Sequence, residues 1–414
     1  VLFDRMVYGM MGENSWGMPL PLHKGIEIAK DVTEYLESNK EKITEQSDII
    51  VMLNEVARQC SEHYHVIVAE IDVLEYLKRC PILNECTRRV FSSLSRKAFE
   101  LKAFSDRVTY KIVFYAGDII RKEKNNSIIK IYIPILRKFL LKQAVLICEN
   151  LSDARLYVDL TKEFLEERGE NLYINVHLMH CGGSLMMDTV ENEISYGECE
   201  PIACIVDSDR KYKDDSIGST AKDAQRVFRR KENNYPIDLY ILNVRMKENL
   251  FPPRLLLLDG VIANREMLER LEAKIDCPKY ENVFKFFNFK EGIKYKNCEK
   301  NMMFKDQLEE IGYIWPTEED VKASPEKILV KGMGADGLKA FHQEIINHKI
   351  DDRYHDAEKR RCKEEHKRLI KEKVDRARKV LEYADPYWRG DWQCIEQIVV
   401  NFGIAFPETM HFAG

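Results

Sequence analysis

A chain of 414 residues, 45% apolar and 32% charged, has the composition of a folded globular protein and excludes a disordered or fibrous one. At roughly 100–200 residues per domain, two or three domains are expected. Lys and Arg number 64 against 69 Asp and Glu, a formal charge of −5, which excludes a uniformly basic nucleic-acid coat but allows a local basic patch.

The longest apolar runs, IIVML (49–53), VLIC (145–148) and LLLL (255–258), fall well short of the ~20 residues of a membrane-spanning helix. No secretory signal pattern is expected at the start, and the opening Val1 reads as a trimmed end. The eleven cysteines form no CxxC pair, so reduced thiols in a cytoplasmic protein are expected, with no membrane partner.

Taken in chain order, residues 1–18 are an irregular Gly- and Met-rich lead-in. From Pro19 to Gln143 the apolar spacing predicts helices. Segment 22–38 places Ile26, Ile28, Ala29, Val32 and Leu36 on one side, and 45–60 does the same with Ile49, Ile50, Met52, Leu53, Val56 and Ala57. Further helices are predicted at about 65–79, 86–104, 107–122 and 128–142. Residues 1–143 are therefore expected to form an all-α N-terminal domain.

The texture changes at Ala144. VLICE (145–149), LYINVHLM (172–179), PIACIVDSD (201–209) and IDLYILNV (237–244) read as strands, separated by helical segments 151–168 and 220–231. Strands alternating with helices predict a parallel sheet of βαβ units, an α/β domain over 144–260. Residues 261–414 read as a mixed, mostly helical region with a long charged helix at 352–384 and an apolar terminal stretch, QIVVNFGIAF.

Three acids fall at predicted strand ends: Glu149 after the first strand, Asp207 and Asp209 after the third. Parallel strands deliver their carboxyl ends to one sheet edge, where open α/β proteins place ligands. Residues two apart on an extended backbone point the same way, so Asp207 and Asp209 are expected to project together. Like charges so gathered need a cation, and oxygen-only ligation suits Mg²⁺ or Mn²⁺.

The order of these elements, with CENLSDARLYVDL (148–160), the glycine turn in HLMHCGGSLM (177–186) and VDSDR (206–210), resembles the Toprim (topoisomerase–primase) domain. LYILNVRMKENL (239–250) resembles the Arg-x-x-Glu-Asn segment of the nuclease branch, which includes the overcoming-lysogenization-defect nucleases and others tied to anti-phage defence. Asn150 stands where many members have Gly, a departure that weakens the likeness to topoisomerases and primases most.

The resemblance implies a metal-dependent phosphodiester hydrolase of DNA or RNA, acting in antiviral defence. Asp207 and Asp209 would hold Mg²⁺ against the scissile phosphate. Glu149 would be a further ligand or the general base, and Glu248 would complete a second metal site. Asp153 is a weaker candidate. Arg210, Lys211, Lys213 and Arg245 would contact flanking phosphates. The resemblance further implies a regulatory protein or ribonucleoprotein partner and allows a homo-oligomer.

Three other signals stand in the sequence. Gly332, Gly334 and Gly337 spell GxGxxG, but with no second strand before Asp351 and Asp352 a glycine loop is expected rather than a dinucleotide turn. Between Asp356 and Lys379 eleven Lys/Arg face six Asp/Glu, either a nucleic-acid rail or a solvated helix laced by i,i+4 pairs. His180 and Cys181 at the glycine turn read as turn residues near the site. The alternative to a nuclease is a non-catalytic nucleic-acid-binding or scaffold subunit; phosphotransfer or primase-like chemistry is a third reading.

Overall fold

A computed structural model describes residues 22–99, 108–116, 121–122, 128–132, 143–167, 173–182, 185–195, 201–231, 237–257, 265–334, 338 and 386–405. The charged segment 352–384 and Gly337 lie outside the described residues. The chain divides into two compact units that interleave in sequence. The first comprises Val1–Ile205, Lys222–Tyr240 and Ile395–Gly414, and the second Val206–Ala221 and Ile241–Cys394.

In the first unit the expectation of an all-α N-terminal domain is overturned. Strands β1 (Leu22–Ile28), β2 (Ile67–Ala69), β3 (Val108–Tyr115), β4 (Arg121–Lys122) and β5 (Ile128–Tyr132) form one sheet in the order β2-β1-β3-β5-β4. All pairs are parallel except β4–β5. Helices α1 (Lys30–Ser38) and α2 (Asp48–Ser61) connect β1 to β2, while α3 (Ile71–Leu77) and α4 (Glu85–Arg96) lie in sequence between β2 and β3.

The misreading has a physical cause. Ile26 and Ile28 alternate along a strand, whereas Val32 and Leu36 are four apart on a helix that starts two residues later; all four are buried. A period of two running directly into a period of four imitates one amphipathic helix. Phe91, Leu94, Leu53 and Phe114 fill the same core, at about 1.5–3 kcal/mol for each fully buried side chain. The cap of α4 is local: Asn84 Oδ1 accepts the Thr87 N–H at 2.8 Å.

The second sheet follows the sequence reading. It contains β6 (Val145–Cys148), β8 (His177–His180), β9 (Ile202–Val206) and β10 (Ile237–Ile241) in the order β10-β9-β6-β8, with β6 parallel to both β8 and β9. Helices α5 (Leu151–Glu167), α6 (Met186–Ser195) and α7 (Ser219–Lys231) alternate with these strands. Every residue of β6 and β9 is buried, as a strand covered on both faces requires. The predicted strand 172–179 is split: β7 (Tyr173–Ile174) pairs instead with β13 (Ile404–Ala405), antiparallel. Described residues of both sheets thus form parallel α/β layers.

The second unit is built on an aromatic core. It contains helices α8 (Pro253–Leu256), α9 (Glu266–Glu272), α10 (Glu281–Phe286), α11 (Lys305–Glu310) and α12 (Glu318–Ala323) and the antiparallel pair β11 (Gly292–Lys294) and β12 (Ile328–Lys331). The first residues of α13 (Pro386–Gly403) insert Trp388 and Trp392 edge-on against Phe284 and Phe251, with ring centroids 5.6 and 5.4 Å apart. Gly332 and Gly334 follow β12, whose antiparallel partner β11 leaves no βαβ unit around them; Gly334 has φ +88° and donates to Lys290 O at 3.0 Å, a packed glycine loop. Among the described residues, no helix is long and apolar enough to cross a membrane.

Candidate functional site

In the second unit the chain leaves β9 through Asp207, Ser208 and Asp209 and is laced to the segment 242–249 by backbone-directed hydrogen bonds. Leu242 N–H donates to Val206 O at 3.0 Å and Asp209 N–H to Arg245 O at 2.9 Å. Ser208, fully buried, donates its hydroxyl to Val244 O at 2.6 Å. Lys247 N–H donates to Asp207 Oδ1 at 3.1 Å. Segment 242–249 is in turn tied to α10 and to the loop after it: Arg245 N–H reaches Lys285 O at 2.8 Å, and the Asn249 amide reaches Phe284 O and Phe287 O at 2.8 and 3.0 Å.

These bonds place the sequence-predicted residues. Asp207, half-buried, has its carboxylate oriented by a backbone N–H. Asp209 is exposed and sits at φ +55°, in the left-handed region that a non-glycine residue enters at a cost. The chain has left the extended conformation by that point, so the alternation that projects Asp207 and Asp209 together does not apply. Glu248 is buried, 3% exposed, in a 3-10 turn (Lys247–Leu250) whose carbonyls are gripped by the indoles: Trp388 Nε1 on Asn249 O and Trp392 Nε1 on Leu250 O, both at 2.9 Å.

Gly218 closes the loop. Its N–H donates to Ser208 O at 2.8 Å, and a Cβ added there would stand 2.5 Å from Asp209 Oδ2. Only a residue without a side chain lets the loop fold onto that carboxylate. From the sequence Gly218 marks only the end of a polar loop; a lone glycine nine residues after the Asp-x-Asp was the available signal.

Cations surround the same loop. Burial lowers the Arg245 pKa, while Asp209, Glu291 and Asp215 oppose that shift and favour its charge. Arg245 Nη1 contacts Phe286 O at 3.4 Å, and the Nε atoms of Arg245 and Arg210 are buried without an acceptor. Lys211 and Lys213 are exposed, and Lys211 N–H is held by Asp215 at 3.0 Å.

Glu149 belongs to the first unit. It follows β6 directly, its carbonyl accepts the Gly182 N–H at 3.2 Å, and its charge acts on two neighbouring thiols. Burial, assisted by Glu149, pushes Cys181 up to about 12 and raises Cys204 as well. Cys181 Sγ donates to Cys148 O at 3.3 Å, so it serves the turn rather than acting as a thiolate. Asp153 is buried in the first turn of α5, contacted by Asn150 Nδ2 and Ser152 Oγ at 3.3 and 3.1 Å, a helix-start role.

The fit to a metal is partial. Among the described residues, no three His, Cys, Asp or Glu side chains are gathered closely enough to hold an ion. The described residues therefore form no closed carboxylate cage. What the loop offers is hard oxygen donors on Asp207 and Asp209, which suits Mg²⁺ bound through one or two carboxylates and completed by water and substrate phosphate. Comparisons of the chain with protein-family models, with curated proteins and with solved structures gave no match.

Proposed function

We propose that the loop 206–218 and the segment 242–249 form the phosphodiester site of a metal-assisted nuclease of Toprim type, acting on DNA or RNA. The observation that carries this reading is the lacing of the Asp207-Ser208-Asp209 strand end to Arg245 and Lys247, which fixes two acids among cations with unsatisfied donors. The parallel pairing of β9 with β6 supports it, because an Asp-x-Asp directly after a parallel strand stands where open α/β proteins place ligands.

In this reading Asp207 and Asp209 are the residues that hold Mg²⁺ or Mn²⁺; when bound, the ion supplies charge neutralisation at the phosphate. Lys247 N–H keeps the Asp207 carboxylate in one orientation. Arg245 and Arg210 present guanidinium donors, the groups that best match a phosphate's oxygens. Lys211 and Lys213 add sequence-independent attraction to the backbone. Glu149, the general base that the resemblance implies, lies in the other unit and is given no part in this loop; Glu248 supports the turn that carries Lys247. A role in antiviral defence, with a restraining protein or ribonucleoprotein partner, belongs to the same proposal.

Labelled single- and double-stranded DNA and RNA, incubated with the full chain while Mg²⁺ or Mn²⁺ is titrated, test it. Metal-dependent shortening of at least one substrate is expected; intact substrates at every metal concentration contradict cleavage. The exposed Lys211 and Lys213 also suit a second reading, a nucleic-acid-binding subunit without hydrolysis. It predicts salt-dependent binding with no cleavage.

A further inference from the structure

The loop that carries Asp209 also carries an aromatic side chain for which metal and phosphate chemistry has no use. Arg210-Lys211-Tyr212-Lys213 follows the Asp-x-Asp directly. Tyr212 keeps 42% of its surface in water, and Lys211 and Lys213 on either side of it are exposed as well. A single exposed tyrosine is ordinary; this one is set apart by how its backbone is held and by what stands beside it.

The backbone is tied down on every side. At the ends of the loop, Asp209 N–H donates to Arg245 O at 2.9 Å and Gly218 N–H to Ser208 O at 2.8 Å. Between them Asp215 builds a turn around Tyr212. Its N–H donates to Tyr212 O at 3.1 Å, and its carboxylate accepts the N–H groups of Lys211 and Ser216 at 3.0 and 2.8 Å. A turn ordered before a ligand arrives pays less entropy on binding.

The side chains of that turn are left over. Among the described residues the Tyr212 ring stacks on no other ring, and Lys211 and Lys213 form no ion pair. An aromatic face between two free ammonium groups has the composition of a single-strand binding surface, in which cations follow the phosphates and the ring stacks on a base. Exposed Asp214 offsets part of the positive charge, so attraction to phosphate is not the whole of what the turn offers. Three residues separate Tyr212 from Asp209, at most about 11 Å of chain. A base on the ring therefore belongs to a nucleotide near the phosphate held at the acids. Inside a duplex the faces of a base are covered by its neighbours, so the ring serves only a base that is unpaired or splayed out.

We infer that Tyr212 is a stacking platform and that the site takes single-stranded nucleic acid, an inference that rests on the phosphodiester reading above. Fluorescence anisotropy of the full chain, without added metal, tests it against three labelled probes: oligothymidine, the same strand with abasic sites in place of its bases, and a duplex of equal length. Oligothymidine should bind tightest. Tyr212→Leu keeps an apolar side chain and removes the ring; it should weaken oligothymidine about tenfold, the scale of one lost base stack, and leave the abasic strand unaffected. Tyr212→Phe removes only the hydroxyl and should bind as wild type does. Equal or tighter binding of the duplex, equal binding of the abasic strand, no binding of oligothymidine, or full affinity in Tyr212→Leu each overturns the inference. Adding Mg²⁺ to the same probes separates it from the reading beneath it. Cleavage together with any of those overturning results sinks the platform alone, whereas the expected binding pattern with no cleavage supports the platform and contradicts hydrolysis.

Discussion

At the residue scale, the Asp209 loop depends on what is missing from Gly218. A methyl there would meet Asp209 at 2.5 Å from Oδ2, so Gly218→Ala must displace that carboxylate. Misplacement of a reacting group by about 1 Å costs on the order of 100-fold in rate. We expect Gly218→Ala to lower nucleic-acid cleavage by about 10- to 100-fold while the thermal unfolding midpoint moves little. Unchanged cleavage would detach Asp209 from the chemistry. The thiols give an independent check of the local electrostatics. Cys181 is buried and raised to about 12, so it should resist alkylation by iodoacetamide at pH 8, whereas exposed Cys86 reacts ahead of the other described cysteines. Mass spectrometry of the time course reads the order directly.

At the scale of elements, the turn carrying Lys247 and Glu248 is fixed by α13 from far along the sequence. Trp392→Phe keeps the aromatic packing against Phe251 but leaves Leu250 O without its indole donor. A loss of roughly 1–3 kcal/mol is expected in denaturant unfolding, together with weaker cleavage, because the Lys247 N–H that orients Asp207 moves with the turn.

Two surface clusters report on acid behaviour. Glu310 is lowered to about 2 by Lys279 and then Lys274, and Glu326 to about 2 by Lys294 and then Lys296. Their folded pKa lies below the ordinary 4.5, so whatever they contribute is present above that value and is lost as pH falls toward 2. Both carboxylates are solvent-screened, so carbon-13 titration should find midpoints that rise toward 4.5 when salt is added. Salt-insensitive midpoints would contradict ion pairing as the cause.

Elements also show which parts of the fold were legible. Strands β6 and β9 stand out because unbroken apolar runs such as IACIV need burial on both faces, and α5 and α7 keep helical spacing with clear ends. β1 was hidden by the helix that begins two residues after it. β2 has three residues, too few to show a period of two. β3, VTYKIVFY, carried a composition signal that helical spacing outweighed: β-branched and aromatic residues fill most of it. Asp207, Asp209 and Glu149 were visible as strand-end acids. The left-handed turn at Asp209 and the grip of Trp388 and Trp392 were not, because each depends on contacts between residues far apart in sequence.

For the whole molecule, near-neutral charge conceals local specialisation. The first unit holds a second, mostly parallel sheet where helices were expected. The second unit holds the Asp-x-Asp loop among unsatisfied arginine donors. The central claim is that this loop hydrolyses phosphodiesters. It is tested most directly by comparing wild type with the Asp207→Asn, Asp209→Asn double variant, in Mg²⁺, for cleavage and binding of the same labelled nucleic acid. The account predicts that the variant keeps binding through Arg210, Lys211, Lys213 and Arg245 while its cleavage falls by more than about a hundredfold. Equal cleavage by the two proteins would contradict it.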